Sequence, residues 1–144
     1  MRNDPYVRGV FGAGGNPFLE KSVVVGRLVA RLGGFSEDRN LSLIPQASRV
    51  LNQGEIHELI CTTERAGPGD RVASVGYFGF FEVEIGGVAL SGDTVKVGGF
   101  SGELVGFDET HAPNHCNLVV RCSQPVDGTK IVLDSEVEIG GMTV

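Results

Sequence analysis

The chain has 144 residues, of which 41% are hydrophobic and 21% are charged, and its net charge is −6 at pH 7. That length supports one compact core, and the negative balance disfavours nucleic acid or an anionic membrane as a partner. No window resembles a transmembrane span or a signal peptide, so no membrane partner is expected. The three cysteines favour a cytoplasmic protein with reduced thiols, since Cys116 and Cys122 lie about 20 Å apart on one predicted strand.

Glycine is the unusual residue in the composition. The 22 glycines are about twice the average share and follow no period, which indicates many tight turns and few helices. Residues 1–20 are rich in glycine and proline and are predicted to form an irregular N-terminal arm, with a single barrel domain over residues 21–144. The glycines at 12–15 are not a dinucleotide-binding loop, because no strand precedes them and no helix follows.

Short apolar segments separated by turn residues follow the arm. Gly26 predicts a bulge in the first of them, and the Gly-Pro-Gly-Asp sequence at 67–70 predicts a tight turn. A helical turn is predicted only at residues 46–53. This spacing predicts an all-β fold, a mainly antiparallel small β-barrel or a strongly bent sandwich. The predicted strands are residues 22–32, 41–44, 55–63, 71–85 (bent or split in two), 94–97, 103–105, 115–122, 129–133 and 136–139.

Two short sequences recur within the chain. Residues 82–87 (EVEIGG) are repeated at 136–141, and the Gly-Asp turn at 69–72 has a counterpart at 92–95. Either chance similarity between strand ends or two duplicated barrel halves explains the repeats. Residues 88–97, a strand, a Gly-Asp turn and an alternating Thr-Val-Lys-Val run, resemble the turn of translation-factor-type β-barrels. The resemblance covers about ten residues and implies a barrel but no function.

Alternation predicts which side chains share a strand face. In residues 115–122 the even-numbered positions form the apolar face, while His115, Asn117 and Arg121 point the other way. In residues 55–63 neither face is cleanly polar, so this strand is expected to be covered on both sides. Four aromatic residues at 77–81 also occupy both faces, and the second face must pack against a second subunit, a second layer or a ligand. Of these, a subunit interface is the favoured interpretation.

Residues 106–117 carry the densest group of proton-handling side chains, including two of the three histidines. A histidine and a carboxylate can pass a proton between two positions of a bound substrate. The predicted catalytic residues are therefore His111, His115, Asp108 and Glu109. Residues that would bind the substrate or neutralise an oxyanion are Asn114, Asn117, Arg121, His57 and Tyr77.

Three other interpretations of this cluster stay open. His57, His111 and His115 would be the ligands of a divalent metal such as zinc, iron or manganese, although no spacing rule predicts it. Covalent catalysis by Cys116 is disfavoured, since His115 points to the opposite face. The cluster would otherwise be a structural loop, with Asp108 in an Asx-type turn.

The working hypothesis is a cytoplasmic homodimeric enzyme that acts on a small molecule without an organic cofactor. The reaction would be of the isomerase, cyclase or lyase type, in a pocket of the barrel. A non-catalytic ligand-binding or assembly protein of the same fold is the first alternative. A metal-dependent small-barrel enzyme is the second.

Overall fold

A computed structural model of the protein describes residues 18–140. Of the arm predicted at residues 1–20, residues 1–17 lie outside the described part of the chain. The described residues form twelve strands and one short 3₁₀ helix, Gly128–Lys130. The prediction of an all-β fold is confirmed. The strands are β1 (Val24–Arg31), β2 (Phe35–Ser36), β3 (Leu41–Ser42), β4 (Ser48–Leu51), β5 (Ile56–Thr62), β6 (Arg71–Val72), β7 (Val75–Ile85), β8 (Gly87–Leu90), β9 (Thr94–Val97), β10 (Phe100–Asp108), β11 (Asn117–Arg121) and β12 (Glu136–Gly140).

Seven of the described strands close into a barrel in the order β1, β12, β9, β10, β11, β5, β7. Pairing of β7 with β1 completes the ring, so the fold is a closed barrel and not a bent sandwich. Neighbouring strands run antiparallel except β11 and β5, which are parallel. The barrel is therefore mixed but mostly antiparallel, as predicted.

The repeated EVEI sequences flank the same strand. Gly26 of β1 lies opposite Val83 of β7 on one side and Val137 of β12 on the other, and the next residue faces a glutamate on each side. The pairing of β1 with β7 shifts register at Gly26, which confirms the predicted bulge. A Cβ at Gly26 would lie 2.4 Å from the carbonyl oxygen of Glu82, so only glycine allows this approach. Both copies of the repeat thus close the barrel against β1.

The two Gly-Asp turns share one hydrogen-bond pattern. The Asp70 carboxylate accepts from the backbone N–H of Gly67, and the Asp93 carboxylate accepts from that of Leu90, each at 2.9 Å. The tight turn predicted at residues 67–70 is therefore present. Asp93 is fully buried and also pairs with Lys21 at 2.7 Å. The two similar sequences thus form the same kind of turn before a strand, in which the aspartate accepts a hydrogen bond from the backbone N–H three residues earlier.

The barrel interior is filled by apolar side chains. Every strand of the ring contributes at least one side chain to this core. Leu28, Phe81 and Phe107 are among those that are fully buried. Alternation in β11 is as predicted, because Leu118 and Val120 point into this core. The interior of the barrel is therefore a packed apolar core.

A second apolar cluster covers part of the outer surface of the barrel. The short strands β3 and β6 pair with each other and lie over β5, β10 and β11. Tyr77 packs against this outer cluster. Part of the aromatic surface at residues 77–81, for which a subunit interface was the favoured interpretation, is thus covered by a second layer of the same chain. The buried members of the outer cluster are Leu41, Leu43, Ile60, Val72, Val75, Val105 and Val119.

Two predicted elements were wrong. The helical turn expected at residues 46–53 is strand β4, because pairing with β8 satisfies its backbone and overrides a weak local preference. The strand expected at residues 129–133 is replaced by the 3₁₀ helix, which Asp127 caps. Ile131 is buried in the core while Val132 is 74% exposed, so this segment closes one end of the barrel as a loop. No helix within residues 18–140 is long and apolar enough to cross a membrane.

Candidate functional site

The parallel pairing of β5 with β11 brings a carboxyl group and an imidazole together. Asn117 at the start of β11 lies opposite Glu58, and the Glu58 N–H donates to the carbonyl of Cys116 at 3.0 Å. This register places His115, just before β11, over Glu58. The His115 Nε2 lies 3.2 Å from the Glu58 Oε1, and their side chains are only 10% and 8% exposed. A carboxyl–imidazole pair is thus largely shielded from solvent.

Aromatic and basic side chains surround this pair. Phe80, opposite Glu58 on β7, meets the His115 ring edge-on at a centroid distance of 4.9 Å. His111 stacks on the His115 ring at a centroid distance of 5.0 Å, and the Arg39 Nη2 lies 3.5 Å from the His111 Nε2. His111 is exposed and Arg39 half-buried. The pair is therefore closed on the barrel side and opens to solvent past His111 and Arg39.

Burial and hydrogen bonding set the pKa of Glu58 and the position of the proton on the His115 ring. Burial raises the pKa of Glu58, and the hydrogen bond from His115 and the positive charges nearby oppose this rise. The His115 Nδ1 lies 2.9 Å from the side-chain amide nitrogen of Asn114. When that amide donates, Nδ1 is an acceptor and the ring proton lies on Nε2, facing Glu58. Glu58 then orients the ring, while the basic nitrogen faces the open side.

The same strand carries a second carboxylate–histidine pair. The Nε2 of His57 lies 2.9 Å from Glu55 Oε1, and its Nδ1 accepts the backbone N–H of Cys116 at 3.0 Å. Because a backbone N–H can only donate, Nδ1 of His57 is unprotonated. Hydrogen bonds from the Asn52 backbone and from His57 lower the pKa of Glu55 to about 2. Both ring nitrogens of His57 are thus engaged, and this pair has no open side.

The two pairs lie on opposite faces of β5. His57 shares its face with Leu59, which belongs to the interior core, while Glu58 shares its face with Ile60 of the outer cluster. The structure brings His111 and His115 together but does not bring His57 to them, so the three do not form the metal site considered above. Within residues 18–140, no group of three or more histidine, cysteine or acidic side chains is arranged to hold a metal ion.

The carboxylate of Asp108 is occupied by hydrogen bonds within the chain. This buried carboxylate accepts hydrogen bonds from the backbone N–H groups of Ser42 and Thr110 and from the side-chain amide of Asn117, at 2.9–3.1 Å. Burial alone would raise its pKa, but bonds with Thr110, Ser42 and Asn117 outweigh burial and lower it. Asp108 and Asn117 therefore fix the loop before β11, the Asx-type turn that was one of the alternatives.

The other predicted site residues lie apart from the histidines. Glu109 forms an ion pair with Arg49 at 2.8 Å. Arg121, at the far end of β11, pairs with Glu103 at 3.8 Å. Tyr77 is in the outer cluster. Cys116 is fully buried in the core, and burial raises its pKa to about 12, which leaves it a poor nucleophile.

Sequence reasoning missed Glu58, Arg39 and Phe80. Glu58 carried one usable signal, a carboxylate in the middle of a strand expected to be covered on both sides. Such a group needs a partner, because an unpaired buried carboxylate is costly. The partner could not be read from the sequence, since Glu58 and His115 are 57 positions apart.

Fold and site together define a closed seven-stranded β-barrel protein with a half-open carboxyl–histidine pair on its outer face. Comparison with known proteins gives the family. The chain belongs to a family of unknown function, DUF6917, whose profile matches residues 18–140. No curated protein and no solved structure matches the chain.

Proposed function

We propose that this protein is a small-molecule enzyme that uses acid–base chemistry at the Glu58–His115 pair, without an organic cofactor. The reaction would be of the isomerase, cyclase or lyase type. One observation carries the proposal. The 3.2 Å contact joins two side chains that are each about nine-tenths buried, and the imidazole also faces an open, basic side formed by His111 and Arg39.

His115 would be the base through its Nδ1 atom. The amide that occupies this atom belongs to Asn114, an exposed loop residue that a substrate can displace. Nδ1 would take a proton from a carbon next to a carbonyl group and return it at another position or to a leaving group. Glu58 would position the ring and stabilise the imidazolium that forms, because its carboxylate would accept the hydrogen bond from the Nε2–H group of His115.

Arg39 and His111 would bind the negative charge of the substrate. A guanidinium only donates hydrogen bonds, so Arg39 suits a carboxylate or the enolate oxygen that develops on proton removal. Phe80 supplies an apolar wall against His115. The substrate class that fits is a small oxo-carboxylate, with its carboxylate at Arg39 and its acidic carbon over His115.

Exchange of carbon-bound hydrogen tests this chemistry even when the product is unidentified. The protein is incubated in D₂O with a panel of 2-oxo and 3-oxo carboxylates, and loss of each α-proton signal is followed by ¹H NMR. We expect enzyme-dependent exchange with at least one compound. His115→Asn should slow it by about 100-fold or more, and Glu58→Gln by a smaller factor, because the base itself remains.

Glu109→Gln is the matched control for these variants. It removes a carboxylate from the same loop, but from one that pairs with Arg49 on the surface. Exchange should stay within about twofold of the wild-type rate, since exposed ion pairs contribute little. Exchange that persists in His115→Asn would contradict the proposal, and so would equal loss in all three variants.

Non-catalytic ligand binding or assembly is the second candidate. It is supported by the number of polar groups near the loop that are engaged within the chain, namely those of His57, Asp108 and Glu109. In that case the compounds would shift the NMR signals of His111 and Arg39 without any exchange. The metal-dependent alternative would instead show stoichiometric metal by elemental analysis and a loss of thermal stability with chelator.

A cytoplasmic location and a homodimer are part of the proposal. The three cysteines form no disulfide, which supports a reducing compartment. Large apolar side chains are exposed on several strands and supply surface for a second copy of the chain. Light scattering on the purified chain would give the subunit number. The exposed residues include Val50, Ile56 and Ile85.

A further inference from the structure

The parallel pairing of β5 with β11 also brings two cysteines together. Cys61 lies opposite Val120, and the N–H of Cys122, just after β11, donates to the carbonyl of Thr62 at 2.8 Å. Both side chains point to the interior face of the barrel. The interaction between the two thiols lowers the pKa of Cys122 and raises that of Cys61. The remaining cysteine, Cys116, takes no part.

The two thiols differ in their access to solvent. Cys61 is 5% exposed, whereas Cys122 is half-buried. Both line a small apolar cavity of about 20 Å³ at this end of the barrel, beside Phe78 and Phe100. Cys122 also lines an open surface groove with Ser101, Glu103, Arg121 and Ser123. Cys122 therefore lines both the surface groove and the interior cavity, whereas Cys61 lines the cavity but not this groove.

We propose that Cys61 and Cys122 form a redox-active dithiol that small disulfides, such as glutathione disulfide, oxidise to an intramolecular disulfide. Cys122 is the attacking residue because it alone of the two faces the groove. Cys61 is the resolving residue because it lines the same small cavity as Cys122 and is itself only 5% exposed. This site lies at the opposite end of β11 from His115 and is independent of the proposed acid–base chemistry.

The reaction proceeds in two exchanges. The Cys122 thiolate attacks one sulfur of glutathione disulfide, an S–S bond forms between protein and glutathione, and one glutathione thiolate leaves. Cys61 then loses its proton to water and attacks the Cys122 sulfur, and the second glutathione leaves as a thiolate. Two protein thiols are oxidised by two electrons, and one glutathione disulfide is reduced to two thiols. The disulfide that forms has an S–S length of about 2 Å.

Cys116 provides the matched control within the same chain. It is fully buried in the core and lines neither the groove nor the cavity of the pair. Because burial raises its pKa to about 12, it stays protonated and unreactive at neutral pH. Cys116→Ser is therefore expected to oxidise as the wild type does.

The experiment is oxidation of the intact chain in glutathione buffers of increasing disulfide fraction, at neutral pH. Samples are quenched with acid, alkylated under denaturing conditions and mapped by peptide mass spectrometry. We expect the wild type and Cys116→Ser to show a linked Cys61–Cys122 peptide and one alkylated thiol fewer for each member of the pair. Cys61→Ser should stop at a single glutathione on Cys122, and Cys122→Ser should take up at least about tenfold less than Cys61→Ser.

Peptide mapping of the wild type decides the question even where a variant fails to fold. A stable mixed disulfide on Cys122 with Cys61 still reduced would overturn the proposal. Oxidation of Cys116 at the same rate as Cys122 would overturn it as well, since it would show that the protein reacts only when it unfolds. A linked Cys61–Cys122 peptide in folded protein supports it.

Discussion

Glu58 and His115, 57 residues apart in sequence, meet at 3.2 Å across the parallel pairing of β5 and β11. On the opposite face of β5, Glu55 and His57 form a pair of the same chemistry at 2.9 Å. The difference between the pairs lies in the second ring nitrogen. In His57 a backbone N–H occupies it, while in His115 an exposed and displaceable amide does. One strand thus carries a closed pair that stabilises the fold and an open pair suited to chemistry.

The closed pair should contribute stability above pH 4.5. The pKa of Glu55 is about 2 in the folded chain against 4.5 for an ordinary glutamate, so its contribution is full above pH 4.5 and disappears between pH 4.5 and 2. The side chain is 39% exposed, and after allowance for screening we expect Glu55→Gln to cost about 1.5 kcal/mol at pH 7. Urea unfolding at pH 7 and pH 3 measures this, and a cost equal at both pH values would contradict it.

The open pair should show the opposite pH dependence. Burial raises the pKa of Glu58, so the folded chain holds this proton more tightly than the unfolded chain. The contribution of Glu58 to stability is therefore present at low pH and lost as pH rises through its folded pKa. Glu58→Gln should gain stability relative to wild type between pH 5 and pH 8 in urea unfolding. A constant difference across that range would count against a raised pKa.

Asp108 should matter for stability and not for chemistry. Asp108→Ala would leave three donors without their acceptor, the N–H groups of Ser42 and Thr110 and the amide of Asn117. An unpaired buried donor costs about 1–3 kcal/mol, so we expect a loss of about 3 kcal/mol in unfolding free energy. Exchange activity per folded molecule should be retained. If activity disappeared in a fully folded Asp108→Asn variant, Asp108 would be catalytic as the sequence suggested.

Gly128 should tolerate no side chain. A Cβ there would lie 2.1 Å from the carbonyl oxygen of Leu32 and 2.2 Å from that of Phe78. Since the 3₁₀ helix closes one end of the barrel, Gly128→Ala should lower the unfolding free energy by more than about 3 kcal/mol. Gly67→Ala is the control, because a Cβ at Gly67 would have no neighbouring atom within 4 Å. Thermal unfolding of the two variants should differ sharply, and equal melting temperatures would show that the end of the barrel adjusts freely.

The sequence predicted most of the fold because its local signals agree with the tertiary structure. Alternation in residues 115–122 gave the faces of β11, and Gly26 gave the bulge of β1. The predictions for residues 46–53 and 129–133 were wrong because contacts distant in sequence decide the structure of both segments. These contacts are the pairing of β4 with β8 and the close packing around Gly128. These contacts have no signature in the local sequence.

The site was predicted in part for a similar reason. His111 and His115 are adjacent in space because only three residues separate them in one loop, so the sequence could show them together. The nearest carboxylates in the sequence, Asp108 and Glu109, bind other partners. Glu58 and Arg39 reach the histidines only through the register of β5 against β11 and through the loop that precedes β3. Strand order and register were the missing information.

The most direct test of a proton-sharing pair is the titration of the Glu58 side-chain carboxyl carbon by ¹³C NMR, in wild type and in His115→Asn. We predict that Glu58 titrates above the ordinary glutamate value of 4.5 in the wild type. In His115→Asn its pKa should rise further, because the hydrogen bond from His115 lowers it. Titration of Glu58 together with the surface glutamates, unchanged by loss of His115, would contradict the account.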